Sequence, residues 1–317
     1  MKKLNSIAIL GPTGSGKTAV AIALAKQLSG EVISCDSMQI YKGMPIGTAQ
    51  PSVAERHEVP YHLIDFLHIS EPFNASTFTQ MATNKMSEIK QRGHRPIFAG
   101  GTGMYAHFLF YGHDNFPSDK LIFQQLLKRY EAGEFEQLSC ELKALDLKTW
   151  SITRHNWRRL LRALEICLIT GKKVSESTDK FVAPAEGVKQ FVLLFSPEKM
   201  RRRIAERTAQ MIEEGWIEEA QQLFKQGLMN SPTARQALGY PLIHEYLFPT
   251  PKAVNEKHMA IPTKDVLIEK LITKTAQYAK KQRTWFRNKH KDAVFIDMDN
   301  LTVNQAVTKI INALEEK

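Results

Sequence analysis

Cysteine is scarce in this 317-residue chain. The three present, Cys35, Cys140 and Cys167, have neither the paired spacing of a disulfide framework nor the knuckle spacing of a zinc site, so neither organises the fold. Long apolar runs are missing as well. None reaches membrane-spanning length, and Met1-Lys2-Lys3 leads toward a strand pattern rather than the apolar core of a signal peptide, so a cytoplasmic protein without membrane association is expected. Acidic residues are the third shortage: 33 Asp and Glu against 43 Lys and Arg leave a formal net charge of +10. A site for a small phosphorylated metabolite needs only local positive charge, whereas an excess across the whole chain attracts a polyanion, and nucleic acid becomes a candidate partner. Surplus lysine also serves solubility. There is no internal repeat or low-complexity tract. With 43% hydrophobic and 24% charged residues, the remainder reads as an ordinary globular protein, long enough for one large domain or two smaller ones.

What is present is organised around Gly11-Pro12-Thr13-Gly14-Ser15-Gly16-Lys17-Thr18, between the apolar run Ile7–Leu10 and the helical pattern Ala19–Ala25. It fits G-x-x-x-x-G-K-[ST] in the strand, loop, helix context of a phosphate loop. The glycines let successive backbone N–H groups turn toward phosphate oxygens, and the following helix adds the positive end of its dipole. Lys17 is expected to reach the outer phosphate, and the Thr18 hydroxyl to hold a Mg²⁺ bridging two phosphates.

Glu31–Cys35 reads as a buried strand with Asp36 at its carboxyl end, where parallel α/β sheets bind ligands. A helix N-cap is the structural alternative for Asp36. The Gly- and Pro-broken stretch Ile40–Thr48 that follows makes a poor helix, which favours a functional carboxylate facing the phosphate loop. Arg95–Ala99 gives another buried strand, entering the turn Gly100-Gly101-Thr102-Gly103. P-loop ATPases usually carry an acid at the end of such a strand to organise Mg²⁺ and water, and its absence leaves the usual hydrolytic apparatus incomplete. The Thr102 hydroxyl there offers a hydrogen bond without a charge.

From 113 to 187 helical periodicity replaces strands, and a buried β run returns only at Val188–Phe195. The expected architecture is α/β: a P-loop NTPase-like core with a mainly parallel sheet flanked by helices, built from residues 1–112 and 188–317, plus an all-helical insertion at 113–187. On the insertion, Arg158, Arg159 and Arg162 share one side of a helix while Leu160, Leu161 and Leu164 bury the other, leaving a cationic ridge suited to a phosphate backbone. In the second core segment, 198–227 reads as helical with Arg203 and Arg207 one turn apart. They either clamp a pyrophosphate or pair with Glu206 and Glu213. A long helix over 265–291 interleaves Lys280, Lys281 and Arg283 with Tyr278, Trp285 and Phe286, a pattern that suits unstacked bases as well as phosphates. Trp285 and Phe286 are expected in the core.

Six blocks in order, GPTGSGKT at 11–18, DSMQIYKGMPIGTAQP at 36–51, GGTGMY at 100–105, RRLLRALEI at 158–166, QALGY at 236–240 and YAKKQRTWFR at 278–287, together resemble the tRNA dimethylallyltransferases. The resemblance spans nearly the whole chain. It implies transfer of a dimethylallyl group from dimethylallyl diphosphate to N6 of the adenine just 3′ of the anticodon, with release of diphosphate. It implies Asp36 as general base, Lys17 and Thr102 as catalytic partners, and Ser37, Met38 and Gln39 around the adenine, with Thr102 also contacting the tRNA. It implies Gly11 to Thr18 with Arg203 and Arg207 as diphosphate ligands, and Mg²⁺ at Thr18. Arg158, Arg159, Leu160, Leu161 and Arg162, with Lys280, Lys281 and Arg283, are then expected at the anticodon stem-loop of a tRNA bound by a monomer. Rival readings are an enzyme that prenylates free adenine nucleotides, and a P-loop kinase or ATPase. The chain departs from the family pattern at Gly14, where Ala is frequent, at Gln50, where Lys is common, and at Pro241, where Lys usually follows the Gly-Tyr pair. No Cys/His zinc element follows Trp285, which points to the shorter bacterial type.

Overall fold

A strand covered on both faces is mostly apolar, and β1 (Ser6–Leu10) is buried throughout, with Ser6 its only polar residue. Its Ala8 and Leu10 pack into one hydrophobic layer. Ile7 and Ile9, pointing the opposite way, pack into another. The same alternation recurs in β2 (Gly30–Ser34) and β4 (Arg95–Gly100), where Ile33 and Phe98 join the first layer and Val32 and Ile97 the second. With β3 (Tyr61–His62), β5 (Val188–Leu194) and β6 (Val294–Asp297), they form a six-stranded sheet in the order β3-β2-β4-β1-β5-β6. Every pairing is parallel. The computed structural model describes residues 6–112, 116–176, 187–249 and 263–315. Met1 to Lys3 and the expected boundary residue His113 lie outside them.

The chain comprises two units, one of Met1–Tyr111 with Pro184–Lys317 and one of Gly112–Ala183. The described residues of the smaller are mainly helical, and Leu126, Leu138, Leu142, Leu160, Leu161 and Leu164 build its core. Among the described residues, no helix is long and apolar enough to cross a membrane. The helix expected over 198–227 is instead two, Pro197–Glu213 and Trp216–Lys225. Gly215 lies between them at φ 97°, a left-handed conformation that ends one helix and re-aims the next.

Register aligns the site. Leu10 pairs with Gly100, and Ser34 with Ala99, so the phosphate loop, Asp36 and the Gly-Gly-Thr turn leave three adjacent strands at one level. Only glycine fits at 100, because a Cβ there would lie 1.9 Å from the Cys35 carbonyl oxygen.

At the opposite end of β2, buried Glu31 accepts two hydrogen bonds from Arg92 (3.1 and 2.7 Å) and lies 2.6 Å from His62 and 2.7 Å from His94. Burial works to raise its pKa, but these partners bring it down to about 2. Asp146 likewise falls to about 2, burial being outweighed by hydrogen bonds from Thr149 and Ser175. His290, fully buried against the His107 and Tyr111 rings, is pushed down to about 4 by burial and by His107. Both kinds of shift destabilise the fold in acid. The two carboxylates give stability that is complete above their ordinary values of 4.5 and 3.8 and is lost as pH falls toward 2. The stability linked to neutral His290 is complete above 6.5 and is lost as pH falls toward 4. Melting curves from pH 7.5 to 3.5 are therefore expected to show stability falling from about pH 6.5 downward, with roughly 3 kcal/mol tied to His290. In His290→Gln that first decline should shrink to the part owed to His107, which burial also holds below its ordinary value; a wild-type melting temperature unchanged between pH 7.5 and 5 contradicts this account.

Candidate active site

The carboxyl ends of β1, β2 and β4 open onto a cavity of about 640 Å³, lined entirely by residues of the larger unit. Its floor is the phosphate loop. Gly14 and Gly16 both adopt φ 81°, a backbone path closed to most side chains, and the helix Lys17–Leu28 starts at once. Lys17 Nζ donates to the Pro12 carbonyl at 2.7 Å, which folds the side chain back over the loop. Burial draws its pKa from 10.5 down to about 8, against Asp36, which raises it, and with Arg207, which lowers it further. Thr18 lines the same cavity.

Asp36 lines it too, with Ser37, Met38 and Gln39. One Asp36 oxygen accepts from the Met38 N–H at 3.0 Å, a local turn rather than a helix cap, since the next helix begins only at Val53. Thr102 accepts from the Ser37 N–H at 2.9 Å and donates to the Ser37 hydroxyl at 3.2 Å. Its hydroxyl thus holds the segment that carries Asp36. The Gln39 amide donates to the Thr48 and Ala49 carbonyls, and Gln50 donates to those of Gln39 and Tyr41. Gln50 is therefore a tie within the loop, and Pro241 sits in the first turn of the helix Tyr240–Leu247, where a missing N–H is harmless.

Of the two alternatives for Arg203 and Arg207, the geometry takes the one facing the loop. Arg203 Nε donates to the Gly14 carbonyl at 2.9 Å, and Arg207 reaches the Thr13 hydroxyl at 3.4 Å. Glu206 pairs with Arg202 instead. Lys17, Arg203 and Arg207 thus ring the phosphate loop, and β4 contributes Gly100 and Gly101 rather than an acid. This arrangement can bind an oligo-anion at one end and set the Asp36 carboxylate at the other.

Two participants escaped sequence reasoning. Gln282, from the helix Lys264–Lys289, accepts from the Thr13 N–H at 2.9 Å and donates to the Gly101 carbonyl at 2.8 Å. Glu219 accepts from the Ile46 and Gly47 N–H groups at 2.8 and 2.9 Å and from the Tyr240 hydroxyl at 2.7 Å. Phe286 is fully buried and Trp285 packs against the core. Lys280 and Lys281 on the same helix are exposed, and Arg283 is half-buried.

Arg158 and Arg159 are exposed on the smaller unit, with the Arg158 guanidinium 5.0 Å from the Trp157 ring centre. Two expectations need correction. Leu160 and Leu161 have no exposed surface and cannot touch RNA; they are the core side of the helix. Arg162, with 37% of its side chain exposed, spends its guanidinium on the fold of this unit, donating to the Phe116 and Pro117 carbonyls and to buried Glu165 at 2.6 Å.

The profile of a family described as IPP transferase matches residues 39–289. The chain is 40% identical over 295 residues to a tRNA dimethylallyltransferase of Chlamydia trachomatis serovar L2, covering 90% of this chain and 84% of that relative. Among solved structures it is similar to a tRNA delta(2)-isopentenylpyrophosphate transferase of Staphylococcus epidermidis, with a TM-score of 0.68, 31% identity and 98% of each chain covered. It is also similar to a eukaryotic dimethylallyltransferase acting on tRNA, with a TM-score of 0.82, 27% identity, and 98% of this chain and 78% of that one covered.

Proposed function

The chain belongs to the IPP transferase family, and from that premise we propose that it transfers the dimethylallyl group of dimethylallyl diphosphate to N6 of the adenine just 3′ of the anticodon in tRNA. The observation that carries this reading is one cavity shared by Lys17, Thr18 and Asp36, with no acid at the end of β4. The C1–O bond of the donor breaks, the N6–C1 bond forms, and the N6 proton goes to Asp36. Lys17, Arg203, Arg207 and the loop amides take up the charge that grows on the departing diphosphate. An exocyclic amine is a poor nucleophile because its lone pair is delocalised into the ring, so the carboxylate orients it and removes its proton as the bond forms. Ser37, Met38 and Gln39 border the adenine, which leaves its stack to enter the cavity.

Mg²⁺ fits this donor set. Among the described residues no group of three or more His, Cys, Asp or Glu could hold a metal unaided. Thr18 lines the cavity beside the phosphate loop, and Mg²⁺ is characteristically held by one or two protein oxygens, waters and substrate phosphates. Thr18 would hold the ion, which when bound neutralises charge on the diphosphate. Arg158, Arg159, Lys280, Lys281 and Arg283 contact the anticodon stem-loop, and the enzyme acts as a cytoplasmic monomer.

Purified protein incubated with unmodified tRNA, dimethylallyl diphosphate and Mg²⁺ is expected to yield N6-dimethylallyladenosine on nucleoside mass spectrometry, with AMP left unmodified and ATP unconsumed. Prenylation of AMP in preference to an anticodon stem-loop, or ATP turnover without prenylation, overturns the reading.

A further inference from the structure

The Gln282 side chain is only 7% exposed, and its carboxamide joins two segments far from it in sequence. Oε1 faces a donor, the Thr13 N–H, and Nε2 faces an acceptor, the Gly101 carbonyl. Reversing the amide would set N–H against N–H and oxygen against oxygen, so its partners fix its orientation. Packing here leaves no slack. A Cβ on Gly101 would lie 2.7 Å from Gln282 Nε2, 3.3 Å from the Gly11 carbonyl and 3.6 Å from Lys17 Nζ. Beyond Gly101, the Thr102 N–H donates to the Cys35 carbonyl at 3.3 Å, and the Thr102 hydroxyl accepts from the Ser37 N–H at 2.9 Å, so the residues on either side of Asp36 hang from the same turn. One amide therefore ties the loop carrying Lys17 to the turn from which the segment carrying Asp36 hangs.

We infer that Gln282 is a positioning residue for the transfer: its carboxamide sets the distance between the diphosphate cradle and the base, and thereby acts on the chemical step rather than on affinity for either substrate. This rests on the reading of the site as a prenyl-diphosphate cradle facing a base. The exposed Lys280 and Lys281 lie on the same helix, so the brace also joins that cradle to the surface proposed for RNA.

The test is single-turnover transfer to tRNA at saturating donor, with equilibrium binding of tRNA and of inorganic pyrophosphate measured alongside. Gln282→Met keeps the volume and removes both hydrogen bonds, and is expected to slow transfer by about 100-fold, as an ångström of misplacement does, with both affinities changed by less than about threefold. Gln282→Glu supplies a chemical rescue. When protonated, its carboxyl can again accept from Thr13 and donate to Gly101; when ionised it cannot donate. Its rate relative to wild type at the same pH is expected to climb as pH falls, which Gln282→Met does not show. A Gln282→Met rate within twofold of wild type, or a Gln282→Glu ratio flat in pH, overturns the inference; should Gln282→Met fail to fold, the Gln282→Glu ratio decides alone. A wild-type enzyme that does not prenylate tRNA overturns the reading of the site instead.

Discussion

Replacing Asp36 with Asn is expected to slow single-turnover transfer by about a thousandfold while tRNA affinity stays within a few-fold, the range for loss of a positioned general base. The substitution is informative because of what it leaves in place. Asp36 accepts from the Met38 N–H, and an Asn oxygen can accept the same bond, so the turn survives while the basic oxygen is lost. Asp36→Ala removes both. If the carboxylate takes the N6 proton, Asn and Ala should be similarly slow; if it serves only the turn, Asn should be near wild type and Ala slow. Rapid-quench measurement of the first turnover separates these outcomes, and a fast Asp36→Asn enzyme removes Asp36 from the role of base.

Lys17→Met is expected to do two opposite things: lower kcat/KM for the donor by about a thousandfold, as loss of a principal oxyanion contact does, and stabilise the ligand-free protein at neutral pH. The second effect follows from the depressed pKa of about 8. Between pH 8 and 10.5 the unfolded chain holds the Lys17 proton and the folded chain does not, so stability rises with pH across that window and is lowest below it. Holding the charge at pH 7 costs roughly 2 to 3 kcal/mol, from which loss of the Nζ hydrogen bond to Pro12 subtracts about 1. A higher melting temperature for Lys17→Met at pH 7, narrowing as pH approaches 10.5, is the expected pattern. In wild type, kcat/KM for the donor should fall above about pH 8 as Lys17 loses its proton. A Lys17→Met protein that melts lower than wild type at pH 7 contradicts the electrostatic account.

Local chemistry made the first half of the site legible. The phosphate loop, Asp36 after a buried strand and the Gly-Gly-Thr turn each declare themselves within about ten residues, because backbone geometry there demands particular residue types. Sheet and insertion followed from periodicity. Gln282 and Glu219 stayed hidden for a common reason. Their partners are 269 and 181 residues away for Gln282 and 173 and 172 for Glu219, and a polar residue on a helix looks like a solvated face until the fold buries it. Arg162 misled in the other direction. Its place in a cationic run suggested RNA, whereas buried Glu165, three residues on, claims it. Gly215 was visible as a letter, but whether a lone glycine interrupts a helix depends on what each half packs against.

Two consecutive backbone N–H groups aimed at one point form a concavity that attracts anions, and Ile46 with Gly47 make such a trap beside the cavity. Glu219 plugs it with the protein's own carboxylate. These two N–H groups are thereby closed to any other anion, and the positive end of the cavity is left to the phosphate loop.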